Sequence, residues 1–451
     1  MRHSALLTRS LSKQYPVAVR GEGPWIFDES GNRYLDFCGS AAVNFIGHGV
    51  PAIAEAVAEQ LKELEFVHSS QFVTPIAQRF ADEVLAFAGP NFAGGAVFFV
   101  SGGSEAVETA LKLARQYQVE VVQSQRTTFL SRKQSYHGAT FGAMSVSGNR
   151  KRKQIYEPLL LQYEQVNTPY CYRCRYGCSN CATRYAQEVE DILEYRGKET
   201  AAFIFEPVSG ATIGAAVPPD GYVQKIVKTC HDRGVLVIAD EVMTGFGRTG
   251  RNFAIGHWTD LPLNAGPDII TCAKGIASGY APLGAVIVNK KVVDAISHGS
   301  GALVHGFTYN AHPVSLTAGS AVLKIIRDQQ LVCRADSNEG EAGTAMKTSF
   351  HRLLDSPVVG DVRGIGLLWG VEFVSNKNTK SPYATSVQFA NRVAAAAVRR
   401  GVMAYPMQGC VDGERGDHLL LAPPAIITPA EIAWAVEQLA LAITEIHKDV
   451  H

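Results

Sequence analysis

Residues 235–250 read VLVIADEVMTGFGRTG, an apolar run that ends on an acid and leads into a three-glycine spacing, Gly245-x-Gly247-x-x-Gly250. A dinucleotide site would need those glycines to leave a strand directly and to open a helix whose amide N–H groups receive the pyrophosphate. The order here is different. The strand-like residues 235–239 end at Asp240, several positions before the first glycine, and RNFAIGHW after Gly250 has no helical period. The stretch therefore reads as a buried strand that delivers Asp240 at its carboxyl end.

Other runs share this character. AAFIFEP, DIITCAK and LGAVIVN are apolar almost throughout, as strands covered on both faces are. AVFFV, residues 96–100, leads through the turn SGGS into a stretch that places Val107, Ala110, Leu111, Ala114 and Tyr117 on one helical face. The pattern predicts an α/β fold with a central, mostly parallel sheet sandwiched by helices. Upstream, WIFDESGNRYLDF suits a hairpin, and residues 52–64 and 76–87 have helical spacing. Downstream, VRGIGLLWGVEFV reads as strands, residues 386–400 as a helix stopped by Gly401, and the end of the chain as a helix. That last helix has Thr428 as N-cap, Pro429 in its first position and Glu431 completing a capping box. The expected division is a large α/β domain over residues 56–325. A smaller α+β domain is expected from both chain ends, residues 1–55 and 326–451.

Composition narrows the partners. Lys plus Arg and Asp plus Glu are balanced at 42 each, which leaves no electrostatic footprint for nucleic acid or an anionic membrane surface. No apolar run reaches spanning length, and the N-terminal MRHSALLTRSLSKQYP lacks a secretory signal's hydrophobic region, so a cytoplasmic protein acting on small molecules is expected. Cys171, Cys174, Cys178 and Cys181 form C-x2-C-x3-C-x2-C. Paired C-x2-C units can hold zinc, but the usual ribbon places a much longer insertion between them. The cluster is read as a surface loop with free or partly paired thiols, without metal.

Three strand ends carry the chemistry: Glu206 after AAFIF, Asp240 after VLVIA and Lys274 after DIITCA. Ligands of such sheets gather beyond the carboxyl ends of the strands, so the three groups should share one crevice. A lysine becomes a nucleophile when burial lets its amine lose a proton near neutral pH. Paired with an aspartate for a pyridine nitrogen, it makes the donor set for pyridoxal phosphate. Gly102, Gly103 and Ser104 turn from strand into helix and offer the helix's first N–H groups to a phosphate, without the Lys-Ser/Thr ending of a Walker loop.

SGGSEAVETALKLAR, YHGAT, FEPV, IADEVMTGFGRTG and AKGIASGYAPLGAV, in that order, resemble the class-III (ω-type) pyridoxal-phosphate aminotransferases of fold type I. The resemblance runs from about Tyr15 to Ile446. It implies Lys274 as the lysine that forms a Schiff base with the cofactor and Asp240 as the ring-nitrogen partner. It implies Gly103 and Ser104 at the phosphate, Tyr136 and Val242 on the two ring faces, and Glu206 on the substrate side, with His137 and Gly138 supporting the Tyr136 loop. Thr308, in HGFTYNAHP, would reach the phosphate of a neighbouring subunit, so a homodimer with shared active sites is implied.

The sequence departs from the family at Met243, where many members have glutamine, and at Leu420, where ornithine- and GABA-type members carry a carboxylate-clamping arginine. Arg415 lies nearby as a substitute carboxylate partner. The expected reaction moves an amino group from an amine or ω-amino acid to a keto acid, pyruvate favoured over 2-oxoglutarate. A lyase, decarboxylase or racemase on the same fold is the alternative. A non-catalytic cofactor- or metal-binding regulator is a further one.

Overall fold

The computed structural model describes residues 5–11, 13–177, 179–258 and 265–450. Its central element is a seven-stranded sheet in the order Ala96–Val100, Gly284–Val288, Ile269–Cys272, Leu236–Asp240, Thr200–Phe205, Thr128–Arg132, Glu164–Val166. Neighbours from Ile269–Cys272 to Glu164–Val166 pair in parallel. Gly284–Val288 runs antiparallel to both of its neighbours. Ala96–Val100 therefore points the same way as the parallel set, and the carboxyl ends of six strands share one edge.

The four strands Thr200–Phe205, Leu236–Asp240, Ile269–Cys272 and Gly284–Val288 are buried along their whole length. Their Val, Ile, Leu and Phe residues explain why: each such side chain removed from water on either face contributes about 1.5–3 kcal/mol. Helix Gly103–Glu120 covers one face, with Val107, Ala110, Leu111, Ala114 and Tyr117 buried beneath it as their spacing predicts.

Both ends of the chain form antiparallel structure. Ala18–Glu22, Trp25–Asp28 and Arg33–Leu35 make a three-stranded sheet, and Val359–Ile365, Leu368–Phe373, Asp417–Leu421 and Tyr405–Gln408 make a four-stranded one. The expected hairpin is present, with Trp25 opposite Leu35 and its turn held by the Asp28 carboxylate, which accepts from Ser30 N at 3.0 Å and Asn32 N at 2.9 Å. Leu35 N donates to Gly401 O at 2.8 Å and Ala422 N to Phe37 O at 3.0 Å, so the two chain ends are stitched together. The final helix, Pro429–Val450, begins with the predicted capping box: Glu431 N donates to Thr428 Oγ1 at 3.2 Å and Thr428 N to Glu431 Oε2 at 2.9 Å.

Among the described residues no helix is long and apolar enough to cross a membrane. Cys171 opens a short turn, Cys174 is half-buried and Cys181 begins helix Cys181–Arg196, while Cys178 lies outside the described residues. Among the described residues no group of three or more His, Cys, Asp or Glu side chains could hold a metal ion.

Candidate active site

At the carboxyl edge of the sheet lies a cavity of about 190 Å³ whose lining includes Gly103, Ser104, Tyr136, His137, Gly138, Glu206, Asp240, Val242, Met243 and Lys274. These residues come from five separate chain segments. Parallel strand order brings them together, because each strand ends at the same edge before its chain turns back.

Asp240 is the last residue of its strand and is buried. Its Oδ1 accepts from Val242 N at 3.0 Å, and its Oδ2 lies 2.7 Å from His137 Nδ1. With the proton on Nδ1 the imidazole donates to the carboxylate, and the plane of the carboxyl group is fixed from two sides. His137 is itself held by its backbone N–H, which donates to Ser147 Oγ at 2.8 Å, and its Nε2 has no hydrogen-bond partner among the described residues.

Lys274 follows strand Ile269–Cys272 in a tight turn, with φ of 48°. A non-glycine residue in this left-handed region carries strain of about 1–3 kcal/mol, and such strain concentrates where a side chain must be aimed. Desolvation pushes the Lys274 amine down to about 8, with Arg248 and Arg152 acting in the same direction and Asp240 and Glu206 opposing it. Glu206 is shifted upward, first by burial and then by the Asp240 charge, against the lowering effects of His137 and Arg132. Its carboxylate accepts from Gly210 N at 3.0 Å and Tyr136 N at 3.3 Å.

Gly103 opens helix Gly103–Glu120, and a Cβ there would come within 2.8 Å of Val242 Cγ1. The absent side chain lets the helix start and Val242 close on one another. Ser104 Oγ accepts from Ala139 N at 3.0 Å, which ties the helix start to the Tyr136 loop and leaves the hydroxyl proton available to an anion. The Tyr136 ring carries the Arg152 guanidinium over it at 4.7 Å.

Two expected residues lie elsewhere. Thr308 is exposed and outside this cavity. Arg415 is exposed on the loop before strand Asp417–Leu421, where its Nε donates to Asp412 Oδ2 at 2.7 Å. Leu420 is buried within that strand, paired with Gly370 and Tyr405. Met243 occupies the lining, and its Sδ would be 2.8 Å from a Cβ at Gly210.

The glycines of the opening stretch serve packing. Gly247, at φ 97°, lies against Phe45, and Gly250, at φ 86°, against the Asp336 backbone. Between them Arg248 is buried and donates to Ala422 O at 2.9 Å and Asn44 O at 2.7 Å, tying this loop to both chain ends. Sequence reading did not find this anchor, nor Arg132, whose buried guanidinium donates to the Glu206 carbonyl. An arginine among glycines carries no signal of burial until its carbonyl partners are known.

The aminotransferase class-III family model matches residues 9–443. The aminotransferase YodT of Bacillus subtilis is 35% identical over 450 residues, covering 99% of each chain. An aminotransferase of Schizosaccharomyces pombe is 38% identical over 436 residues, 95% of this chain and 92% of that one. Among solved structures, a transaminase from the marine bacterium Virgibacillus superposes with a TM-score of 0.90 at 31% identity, covering 100% of this chain and 98% of that one. A thermostable (S)-enantioselective omega-transaminase from Thermomicrobium roseum gives 0.89 at 34% identity, covering 98% and 96%.

Proposed function

Because this chain belongs to the class-III aminotransferases, we propose that it binds pyridoxal phosphate between Lys274 and Asp240 and moves an amino group from an amine or ω-amino acid to a keto acid. The observation that carries this reading is one cavity holding the lysine, the buried aspartate and the glycine-serine helix start. The residues present fit the cofactor. Gly103 leaves the space a Cβ would fill, Ser104 and the helix N-terminus suit a phosphate, and the buried Asp240 carboxylate suits a protonated ring nitrogen.

When bound, the cofactor supplies an aldehyde for the amine and a ring that takes up electrons from the substrate carbon. Lys274 Nζ, with its affinity for protons lowered by burial, serves as the base that takes the proton from the carbon bearing the substrate nitrogen. Asp240 holds the proton on the ring nitrogen, and His137 and Val242 N keep its carboxylate in place. Tyr136 and Val242, both in the lining, would flank the ring when it is bound.

Pyruvate is the preferred acceptor over 2-oxoglutarate in this reading. Leu420 puts an apolar side chain where a carboxylate clamp would be needed, and Arg415 must leave Asp412 before it can meet a substrate. Thr308 acts at the phosphate of the partner subunit in a homodimer, which accords with its exposure and its place outside the lining of its own chain's cavity.

Cofactor absorbance tests the reading. The purified protein should absorb as bound pyridoxal phosphate, shift when an amine is added and recover with pyruvate. Release of ammonia, carbon dioxide or phosphate in place of that cycle would assign a lyase-type reaction.

A further inference from the structure

Two residues of one short turn stand in the left-handed region: Lys274 at φ 48° and Ser278 at φ 50°. Ser278 N closes the turn by donating to Lys274 O at 2.8 Å, so the two strained positions are its two ends. Residues with a Cβ avoid this region, and a turn that carries two of them persists only where its surroundings hold it. Left free, it would relax and aim the lysine elsewhere. The Ser278 hydroxyl supplies a hold. Its Oγ accepts from Phe45 N at 2.7 Å and Ile46 N at 3.1 Å, and it donates to Asn44 Oδ1 at 3.4 Å. Ser278, Asn44, Phe45 and Ile46 are all buried. A buried N–H needs an acceptor, so the two amides depend on this hydroxyl as the turn does.

The anchor is itself fixed. Asn44 O accepts from Arg248 Nη2 at 2.7 Å, Asn44 Oδ1 from Gly47 N at 2.8 Å, and Phe45 O from Ala425 N at 2.8 Å. Residues 44–47 therefore belong to the framework in which the two chain ends meet. The Tyr280 hydroxyl makes a parallel tie just beyond the turn, accepting from Val50 N at 2.9 Å and donating to Gly47 O at 2.8 Å. We propose that Ser278 is a positioning residue for Lys274: its hydroxyl locks the far end of the turn that carries the lysine, so that the amine is presented to the cavity in one direction. For the chemistry of Lys274 the inference rests on the aminotransferase reading. A proton carrier tolerates little misplacement, since a shift of about 1 Å costs up to about 100-fold in rate.

Ser278→Ala removes the acceptor. Ser278→Gly removes it too, with a residue that adopts φ 50° without strain, and so guards against a misfolded alanine variant. Tyr280→Phe is the control, because it breaks two hydrogen bonds to the same N-terminal stretch outside the turn. In the holoenzyme both Ser278 variants should lower kcat for an amine donor about 10- to 100-fold with KM little changed, while Tyr280→Phe keeps the wild-type kcat. An equal loss in all three would make Ser278 one structural tie among others and overturn the proposal, as would wild-type kcat in the Ser278 variants. A second measurement needs no turnover. Competitive acetylation of the cofactor-free protein over a pH series, read at the Lys274 peptide by mass spectrometry, reports the proton affinity and reactivity of that one amine. Burial pushes it down to about 8 in the wild type, and in the Ser278 variants the released lysine should reach water and titrate closer to 10.5. Identical Lys274 profiles in wild type and both variants would overturn the proposal. A wild type that moves no amino group would instead count against the aminotransferase reading, and the acetylation profiles would still judge the turn.

Discussion

His137 Nδ1 lies 2.7 Å from Asp240 Oδ2, and the contact joins the turn after strand Thr128–Arg132 to the end of strand Leu236–Asp240. The imidazole thereby sets the direction of the carboxylate proposed to face the cofactor's ring nitrogen. His137→Phe keeps an aromatic ring in place and removes the donor, leaving Asp240 buried with one hydrogen bond from Val242. The loss should cost about 1–3 kcal/mol in the cofactor-free protein and weaken cofactor retention. Melting temperature and dialysis-resistant absorbance measure the two effects, and a variant matching wild type in both would show the contact to be idle.

Lys274→Ala should keep the fold and end turnover. Lys274 lies beyond the end of strand Ile269–Cys272, and its φ of 48° is no easier for alanine. Circular dichroism checks the fold, and residual transamination in this variant would remove Lys274 from the chemistry.

The lowered proton affinity of Lys274 has two consequences with opposite practical faces. Turnover that needs the neutral amine should rise with pH through about 8. For stability, the folded-state value lies below the unfolded 10.5, so the fold disfavours a charge that the unfolded chain carries freely. The cost is fully present below about 8 and is relieved as pH rises from there toward 10.5. Cofactor-free Lys274→Met should therefore melt above wild type at neutral pH, with the gap narrowing as pH is raised from 8 to 10. A constant gap would show that the shift does not arise from this burial.

Gly103→Ala should weaken cofactor retention. The new Cβ would meet Val242 Cγ1 at 2.8 Å and push apart the helix start and the residue proposed to cover the ring. Overpacking of this kind costs about 1–3 kcal/mol. Spectrophotometric titration of the cofactor-free variant with pyridoxal phosphate reads the change, and unaltered affinity would place the phosphate elsewhere.

If Thr308 serves the partner's site, two inactive variants should complement one another. Mixed dimers of Lys274→Ala and Thr308→Arg would contain one site with both native residues and regain activity. Sites built within single chains would leave the mixture dead, and a monomer in sedimentation would end the shared-site proposal outright.

Much of this architecture was legible beforehand. Strands such as IITC and LVIAD are apolar throughout because both faces are covered, and that composition can be read without coordinates. The same feature hid a detail. A strand buried on both faces has no alternation to betray its direction, so the reversal of Gly284–Val288 within a mostly parallel sheet was invisible. Nothing in the run RKRK, Arg150–Lys153, marks one of its residues for burial, yet packing half-buries Arg152 against Tyr136. Arg415 reads as a substitute partner for a substrate carboxylate, and the turn it occupies pairs it with Asp412.

The order of buried strands and the residue types at their ends were determined by sequence alone, because hydrophobic burial and turn chemistry act over a few neighbouring residues. That local code was enough to nominate Lys274, Asp240, Glu206 and the Gly103–Ser104 turn. Tertiary structure decided which of these meet and what steadies them: the His137–Asp240 contact, the Arg248 anchor and the hold of Ser278 on Phe45 and Ile46. Each of those joins residues far apart in the chain, and their distances depend on sheet order and packing, which no local pattern encodes.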